Sequence, residues 1–378
     1  MHTYIPIILF INRFWPQQIM DINITEMSCE NATNSTDDGY DRSLYEYWSV
    51  VLLGIFACIG TVGNIGLLVV VVFTKHLRTA ANIMVVNLTV GDLLYLLISA
   101  PFHIEHDVHP SWQFGAIACK FSQSGQVAAQ GVCVLSLFAL SLERHQAITK
   151  ARVRASSHNM HKTLFIVATI WFLSIMISLP IIILAETKLA NGCDEICIFL
   201  PHFTPTAKTY VIFQFFALYV LPLAAIAGFY INMARVLLQS ERQFQNESQP
   251  GARQFIARRR LAIIVLVITV MFGVLWLPYY AYTIWFQFRL QYSLHSIDKV
   301  WNVLFFFQQF HFFTGVANSC LNPWVVFVMS STHRQELLKL LRCRRKPMKT
   351  NQSINYEMVG SRKKRVGEIQ DISQATLL

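Results

Sequence analysis

Seven apolar runs constrain the fold of this chain more than any other feature of its sequence. An α-helix rises about 1.5 Å per residue, so about 20 consecutive apolar residues cross the hydrocarbon layer of a bilayer. The runs occupy residues 47–74, 82–103, 116–147, 163–185, 210–238, 261–286 and 300–329. Because the 378 residues are 54% hydrophobic and only 14% charged, a soluble domain of ordinary composition is excluded. We therefore expect an all-α membrane protein, a bundle of seven transmembrane helices.

The charged residues of the connecting segments orient this bundle. Lys and Arg follow the first, third and seventh runs and precede the sixth, as in residues 258–260. Asp and Glu are concentrated in the alternate segments, such as 105–107 and 194–195. Segments rich in Lys and Arg stay in the cytosol, so we predict an extracellular N-terminus. The net charge of +10 then reflects membrane orientation, and nucleic acid is not an expected partner.

The flanks of the runs divide the chain into four predicted parts. Residues 1–46 form an extracellular N-terminal segment, 47–329 the bundle, 330–346 a cytoplasmic amphipathic eighth helix with a basic segment, and 347–378 a disordered cytoplasmic tail. Residues 1–20 are interpreted as a weak signal peptide or as a disordered or misassigned start. The sequons predict glycosylation at Asn23, Asn31 and Asn34. Cys343, after the amphipathic stretch, is a predicted palmitoylation site in contact with membrane lipid.

Asp92 lies deep within the second run, where a charged side chain is costly and needs a partner or a water-filled cavity. This predicts a functional site or a hydrogen-bonding hub, and such a hub can also bind a cation. A transporter would be expected to have more intramembrane charges and an internal repeat. An intramembrane enzyme would need a catalytic pair facing one cavity, whereas Asp92 and His311 lie at opposite depths. We therefore expect no catalytic residues and no cofactor.

Each run also contains a polar, aromatic or proline landmark. In chain order these are Asn64, Asp92, Arg144, Trp171, Pro222, Trp276 with Pro278, and Asn322 with Pro323. Taken together, the bundle and the segment after it resemble the rhodopsin-like family of G-protein-coupled receptors. The resemblance implies a multi-pass receptor of the plasma membrane that activates a heterotrimeric G protein. It also implies a receptor kinase and arrestin as partners of the tail.

The resemblance further implies roles for individual residues. An activation switch would comprise Glu143, Arg144, Tyr230, Phe272, Trp276, Pro278, Asn322 and Pro323. Asp92, Asn318 and Asn322 would form a water cavity in which Asp92 binds sodium. Cys119 would form a disulfide with Cys197 or with Cys193, and Cys29 could pair with the cysteine that is left over.

Three residues depart from the family pattern. His145 replaces the usual Tyr after Arg144, Cys133 replaces the usual Ser beside the sodium cavity, and Val326 replaces the Tyr of the NPxxY motif. The sequence around Val326 is similar to the bombesin and endothelin receptor branch. That branch implies Gq-class coupling with calcium signalling, with Gi as the other choice. A non-signalling scavenger receptor of the same fold is the alternative, and a membrane transporter is a remote one.

The ligand class follows from what the third and seventh runs lack. An amine receptor needs a carboxylate where this chain has Gln126, and a retinal pigment needs a Lys that the seventh run does not contain. The loop from Glu186 to Ile198 is predicted to form a hairpin over the pocket mouth that offers strand backbone to a peptide. We therefore expect an extracellular neuropeptide as the ligand. Its predicted contacts are Gln123, Gln126, Trp276, Tyr279, Thr283, Gln308 and Phe312, with Gln130, Tyr280, Gln309 and His311 as further candidates.

Overall fold

The computed structural model of the protein describes residues 44–109, 111–149, 160–190, 194–201, 204–244, 251–289 and 297–341. Within these ranges the chain forms eight helices and one β-hairpin. The helices are α1 (Leu44–Phe73), α2 (Ala80–Val108), α3 (Gly115–Thr149), α4 (Met160–Leu184), α5 (Pro205–Phe215, Phe216–Val220 and Leu221–Phe244), α6 (Gly251–Arg289), α7 (Ile297–Met329) and α8 (Ser331–Leu341). A short 3-10 turn, Lys75–Leu77, connects α1 to α2.

Helices α1 to α7 are each long and apolar enough to cross a membrane, which confirms the predicted bundle of seven. Their outward surfaces carry large apolar side chains. Phe165 and Ile183, for example, are 72% and 81% exposed in the isolated chain. Contiguous apolar surface of this kind is typical of helices that face lipid.

The inner ends of α5 and α6 extend well beyond the apolar runs from which these helices were predicted. α5 continues to Phe244 and α6 begins at Gly251, whereas hydropathy placed an inner loop at 239–260. The extensions contain Gln, Glu and Arg, which favour helix about as strongly as Leu does. Hydropathy therefore locates the part of a helix that lies in lipid and misses the part that projects into water.

Helix α3 is the centre of the bundle and packs against α2, α4, α5 and α6. Its middle is fully buried, and small residues let the neighbouring helices approach. A Cβ on Gly131 would lie 2.9 Å from the Ser174 hydroxyl of α4 and 3.3 Å from the Ser174 Cα. Such close approach at small residues is how helices pack in lipid, where no hydrophobic force acts between them.

A polar network joins α2, α3 and α4. The Asn87 side-chain amide on α2 donates to the Ser136 hydroxyl on α3 at 2.8 Å, and the Trp171 indole on α4 donates to the Asn87 oxygen at 2.9 Å. We call these three residues the α2–α4 network. Asn64 has a related role, because its amide joins α1 to the Ser319 carbonyl of α7 at 2.9 Å.

Strands β1 (Glu186–Ala190) and β2 (Asp194–Ile198) form an antiparallel hairpin after α4. The loop from Glu186 to Ile198 was predicted to form this hairpin, which lies outside the all-α bundle. A disulfide joins Cys119, at the start of α3, to Cys197 in β2, which resolves the choice between the two loop cysteines. Cys193 and Cys29 lie outside the described residues.

The bundle ends in a tight turn between α7 and α8. The Ser330 hydroxyl and the His333 Nδ1 are 2.7 Å apart, and His333 is buried. From Gln335 onward the chain belongs to a second compact unit, in which Lys339 Nζ lies 2.7 Å from Glu336 Oε1. Asn23, Asn31, Asn34, Cys343 and the tail lie outside the described residues, and the four domain boundaries stay predictions.

Candidate functional site

A short aromatic turn before α3 fixes the outer rim of the bundle. Gly115 adopts a φ of +69°, a conformation that favours glycine, and its carbonyl accepts the Trp112 indole N–H at 2.8 Å. The Trp112 backbone N–H donates to the Glu195 carbonyl of β2 at 2.6 Å, and the Glu195 N–H donates to the Ser111 hydroxyl at 3.0 Å. The hairpin is thus held to the rim by these bonds as well as by the disulfide.

Beneath the hairpin lies a cavity of about 220 Å³. Residues from α2, α3, α5, α6, α7 and β2 line it, and they are mostly aromatic and amide side chains. Among its described lining residues there is no Asp, Glu, Lys or Arg, and the two histidines are His103 and His311. A pocket of this composition selects a ligand by shape and hydrogen bonds and not by a buried ion pair.

Six of the predicted ligand contacts come together around this cavity. Gln123, Gln126, Trp276, Tyr279, Thr283 and Phe312 all line it, as do Gln130 and His311. The side chains of Gln308 and Gln309 lie outside the described residues, and Tyr280 is buried behind the wall. Contact of these residues with a ligand stays a prediction.

Gln126 and Trp276 line the cavity, and each has an unpaired donor. The Gln126 Nε2 and the Trp276 Nε1 are both buried, and neither has a hydrogen-bond partner within the described part of the chain. Buried donors are nearly always paired in proteins. These two groups are therefore suited to hydrogen-bond acceptors on a bound ligand or to water.

An amide and tyrosine network lies in the wall of the cavity, and sequence reasoning missed one of its members, Gln214. Gln130 donates to the Tyr280 hydroxyl at 2.9 Å, and the Gln214 amide lies 3.4 Å from both the Gln130 oxygen and the Tyr279 hydroxyl. Gln214 is 2% exposed. Its position within the apolar run of α5 could have indicated that it has hydrogen-bond partners inside the bundle, because a buried amide without partners is costly.

Helix α2 contributes lining residues that were also missed. Tyr95 meets Trp276 edge to face with ring centroids 5.4 Å apart, and the His103 ring lies 3.5 Å from that of Phe312. A Cβ on Gly315 of α7 would lie 2.5 Å from the Tyr95 hydroxyl, so glycine is required there. Two turns separate Tyr95 from His103 on one helix face, a spacing that the sequence displayed.

Trp276 is the floor of the cavity and the top of an aromatic column in α6. It is 3% exposed, and Phe272 beneath it is fully buried, with ring centroids 5.9 Å apart. Pro278 lies inside α6 just above the tryptophan. Since proline removes one helical hydrogen bond, the helix has its weakest point at the level of the cavity.

Asp92 lies below this level and is completely buried. Asn322 donates to its Oδ2 at 2.9 Å, and the Cys133 thiol lies 3.3 Å from its Oδ1. Sodium is a hard cation that prefers oxygen ligands, whereas here a thiol occupies one side and both carboxylate oxygens already accept hydrogen bonds. The thiol thus takes the place of one oxygen ligand, and sodium binding at Asp92 stays a prediction.

Asn318 shares this region. Neither its side-chain oxygen nor its nitrogen has a partner among the residues that the structure describes, and the same holds for the Asn322 oxygen. Buried water typically satisfies such groups. The predicted polar cavity is therefore supported as a place for water.

At the cytoplasmic end, Arg144 is 6% exposed and its guanidinium lies 2.6 Å from the Glu143 carboxylate. Glu143 is the acid that pairs with Arg144 among the described side chains. Tyr230 of α5 does not reach Arg144 by a hydrogen bond and instead donates to the Ala262 carbonyl of α6 at 2.8 Å. We call this arrangement, with the ion pair and the Tyr230 bond both made, the closed cytoplasmic end.

The three departures from the family pattern are all packed. His145 stacks on Phe229 with ring centroids 5.3 Å apart, and Cys133 and Val326 are 2% and 4% exposed.

Arg260 of α6 reaches the end of α7, where its Nε donates to the Met329 carbonyl at 2.9 Å. Contact between α6 and α7 at this end thus uses an arginine and a backbone carbonyl.

Comparisons with known proteins agree with this geometry. Residues 63–325 match the family model described as 7 transmembrane receptor (rhodopsin family). The chain is 30% identical over 342 residues to the Neuropeptide CCHamide-1 receptor of Drosophila melanogaster, which covers 87% of this chain and 67% of that protein. It is 29% identical over 300 residues to Bombesin receptor subtype-3 of Ovis aries, covering 78% of this chain and 74% of that receptor.

Proposed function

The chain belongs to the rhodopsin family of seven-transmembrane receptors, and from that premise we propose that it binds an extracellular peptide and activates a Gq-class G protein, with calcium release. Membership makes it a multi-pass receptor of the plasma membrane and not an enzyme. The observation that carries the proposal is the neutral cavity of aromatic and amide side chains beneath a fixed hairpin.

The cavity favours a peptide over an amine. An amine needs a buried carboxylate, and the described lining has none, whereas Gln126 and Trp276 offer N–H donors to the carbonyl groups of a peptide. The hairpin adds backbone groups at the mouth, which is how extended peptides are commonly recognised. The two relatives are named as receptors for a neuropeptide and for bombesin, which supports the same ligand class.

The cytoplasmic end supports coupling to a G protein. Arg144 pairs with its neighbour Glu143, and arginines such as Arg235 and Arg260 lie at the described inner ends of α5 and α6. The Glu143 side chain is 30% exposed, so water can compete for its carboxylate. Opening this end separates Tyr230 from the Ala262 carbonyl of α6 and exposes Arg144 to a partner.

The mechanism is a shift between two populations. A ligand that binds better when Trp276 is displaced favours the state in which α6 bends at Pro278 and moves away from Arg144. The difference between the affinities of the ligand for the two states then determines how far the population shifts towards the active state. Both the non-signalling receptor and the Gi-coupled receptor differ from this proposal only at the cytoplasmic end.

The test is a screen of cells that express the full chain with a neuropeptide library, alongside amine and lipid controls. We expect calcium release and Gq dissociation with one peptide class, and loss of both in Arg144→Ala. A Gi response without calcium would reject the coupling class. Labelled peptide that is internalised without dissociation of any G protein would reject signalling altogether.

A matched pair of variants tests the ligand site. Gln126→Ala removes the unpaired donor of a residue that lines the cavity, whereas Gln113→Ala removes an exposed glutamine at the rim whose amide donates to the Ser111 carbonyl. One hydrogen bond contributes about 1 kcal/mol, so the potency of the peptide should fall about fivefold in the first variant. Equal potency in both variants would contradict the assigned pocket.

A further inference from the structure

Helices α5 and α6 run antiparallel and are joined by two tyrosines that act in the same way. Tyr219 donates to the Gly273 carbonyl at 2.7 Å, and Tyr230 donates to the Ala262 carbonyl at 2.8 Å. The two donors are about three turns apart on α5, and so are the two acceptors on α6. Side chains of α5 therefore hold the backbone of α6 at two levels.

The upper bond lies at the point where α6 is weakest. Pro278 has no N–H, so the carbonyl four residues earlier, at Val274, loses its helical partner. Gly273 immediately precedes Val274. The Tyr219 hydroxyl thus supplies a donor to the turn in which the helix lacks one of its own bonds.

Tyr219 is itself placed by an irregular segment of α5. Residues Phe216–Val220 form a π-helical turn that ends two residues before Pro222, and such turns commonly occur at functional sites. The Tyr219 ring stacks on Phe215 at 5.7 Å and lies 5.0 Å from the ring of Tyr280 on α6. The hydroxyl is therefore aimed at α6 by packing on two sides.

Tyr280 connects this position to the cavity. Its hydroxyl accepts the Gln130 amide at 2.9 Å, and Gln130 lines the cavity. A ligand that displaces Gln130 also shifts Tyr280, and the Tyr219 ring packs directly on Tyr280. The contacts form a continuous series from the ligand site to the hinge of α6.

We propose that Tyr219 is a positioning residue whose hydroxyl holds the hinge of α6 in the closed arrangement, and that ligand binding releases it through Gln130 and Tyr280. The signalling consequence rests on the proposed function, whereas the hold on α6 does not. Loss of one net hydrogen bond shifts an equilibrium about fivefold, so the bond is strong enough to set a basal level and weak enough for a ligand to break.

The test compares Tyr219→Phe with Tyr210→Phe in the full-length receptor. Tyr210 also lies on α5 and its hydroxyl also donates to a backbone carbonyl, that of Ile177 at 3.0 Å, but this carbonyl belongs to α4. Each substitution removes one hydroxyl and keeps the ring. The pair therefore separates a hold on α6 from a general loss of a tyrosine bond.

Two readouts are needed. The first is amide hydrogen exchange by mass spectrometry on receptor purified in nanodiscs, where Tyr219→Phe should accelerate exchange about fivefold in the α6 peptide around Gly273 and Tyr210→Phe should not. The second is G-protein dissociation in cells without ligand, normalised to surface expression, which should rise about fivefold in Tyr219→Phe alone.

The outcomes separate the two proposals. Faster exchange in α6 with a raised basal signal supports both. Faster exchange without any G-protein signal, in the wild type as in the variant, supports the hold and rejects signalling. Unchanged exchange in α6, or equal acceleration in both variants, overturns the role of Tyr219, even where the receptor signals.

Discussion

The packing of α3 against α2 and α4 differs in kind from the packing of α6 against α5 and α7. On the first side, side chains bond to side chains in the α2–α4 network, and Gly131 brings two backbones together at Ser174. On the second side, Tyr219, Tyr230 and Arg260 donate to backbone carbonyls at 2.7–2.9 Å, and the side-chain contact between Gln214 and Tyr279 is longer, at 3.4 Å.

The difference has a physical consequence for motion. A close backbone contact and a buried side-chain network cannot be broken without leaving a void or an unpaired polar group, which is costly. A carbonyl of a helix end or hinge can exchange one donor for another, including water. The first side is therefore expected to determine whether the receptor folds, and the second to determine which conformation it adopts.

The largest effect is expected at Gly131. Its Cβ in Gly131→Ala would lie 2.9 Å from the Ser174 hydroxyl, and overpacking of this kind costs about 1–3 kcal/mol. Thermal inactivation of purified receptor should occur at a lower temperature. Gly228→Ala is the control, since nothing lies within 4 Å of its added Cβ. Equal stability of the two variants would remove the distinction between the two sides.

The α2–α4 network should give the next largest effect. Asn87→Leu leaves the Trp171 indole without its acceptor, and Trp171→Phe removes that donor; leaving a buried group unpaired costs about 1–3 kcal/mol. The double variant should be more stable than the sum of the single losses predicts. Strict additivity in the thermal stability of the three variants would show that the network does not act as a unit.

Arg260→Gln should change conformation more than stability. The exposed guanidinium contributes little to folding, but its loss frees α6 from the Met329 carbonyl, and basal G-protein activation should rise about two- to fivefold. Arg78→Gln is a matched control, because that exposed arginine donates at 2.6 Å to the Val72 carbonyl near the α1–α2 turn. The same rise in both variants would argue against a specific α6–α7 contact.

The smallest effect is expected from protonation of His333, in the turn after α7. Burial lowers the pKa of His333 below its ordinary value of 6.5, so its contribution to stability is complete above that value. As the pH falls, the unfolded chain takes up the proton first and stability declines. Thermal stability between about pH 7.5 and about pH 5.5 should fall more for the wild type than for His333→Gln. Parallel curves would exclude this residue as the cause.

Sequence reasoning reached the architecture on both sides of the comparison more readily than the hydrogen bonds that join the helices. The seven helices, their order, the hairpin and most cavity residues follow from hydropathy, landmarks and helical spacing. The bonds of Tyr219 and Arg260 do not, because they depend on the rotation of α5 and on how far α6 projects beyond lipid. The choice of Cys197 over Cys193 likewise required the register of the hairpin, in which Cys197 lies opposite Thr187.

The π-helical turn at Phe216–Val220 acts as a register shift. A regular α-helix turns by about 100° per residue, which would place Gln214 and Tyr219 on different faces, whereas a five-residue turn brings them to the same face. Deletion of one residue from this turn would preserve the hydropathy of the span. It would also rotate the outer half of α5, so that Gln214 would face lipid while Tyr230 kept its place.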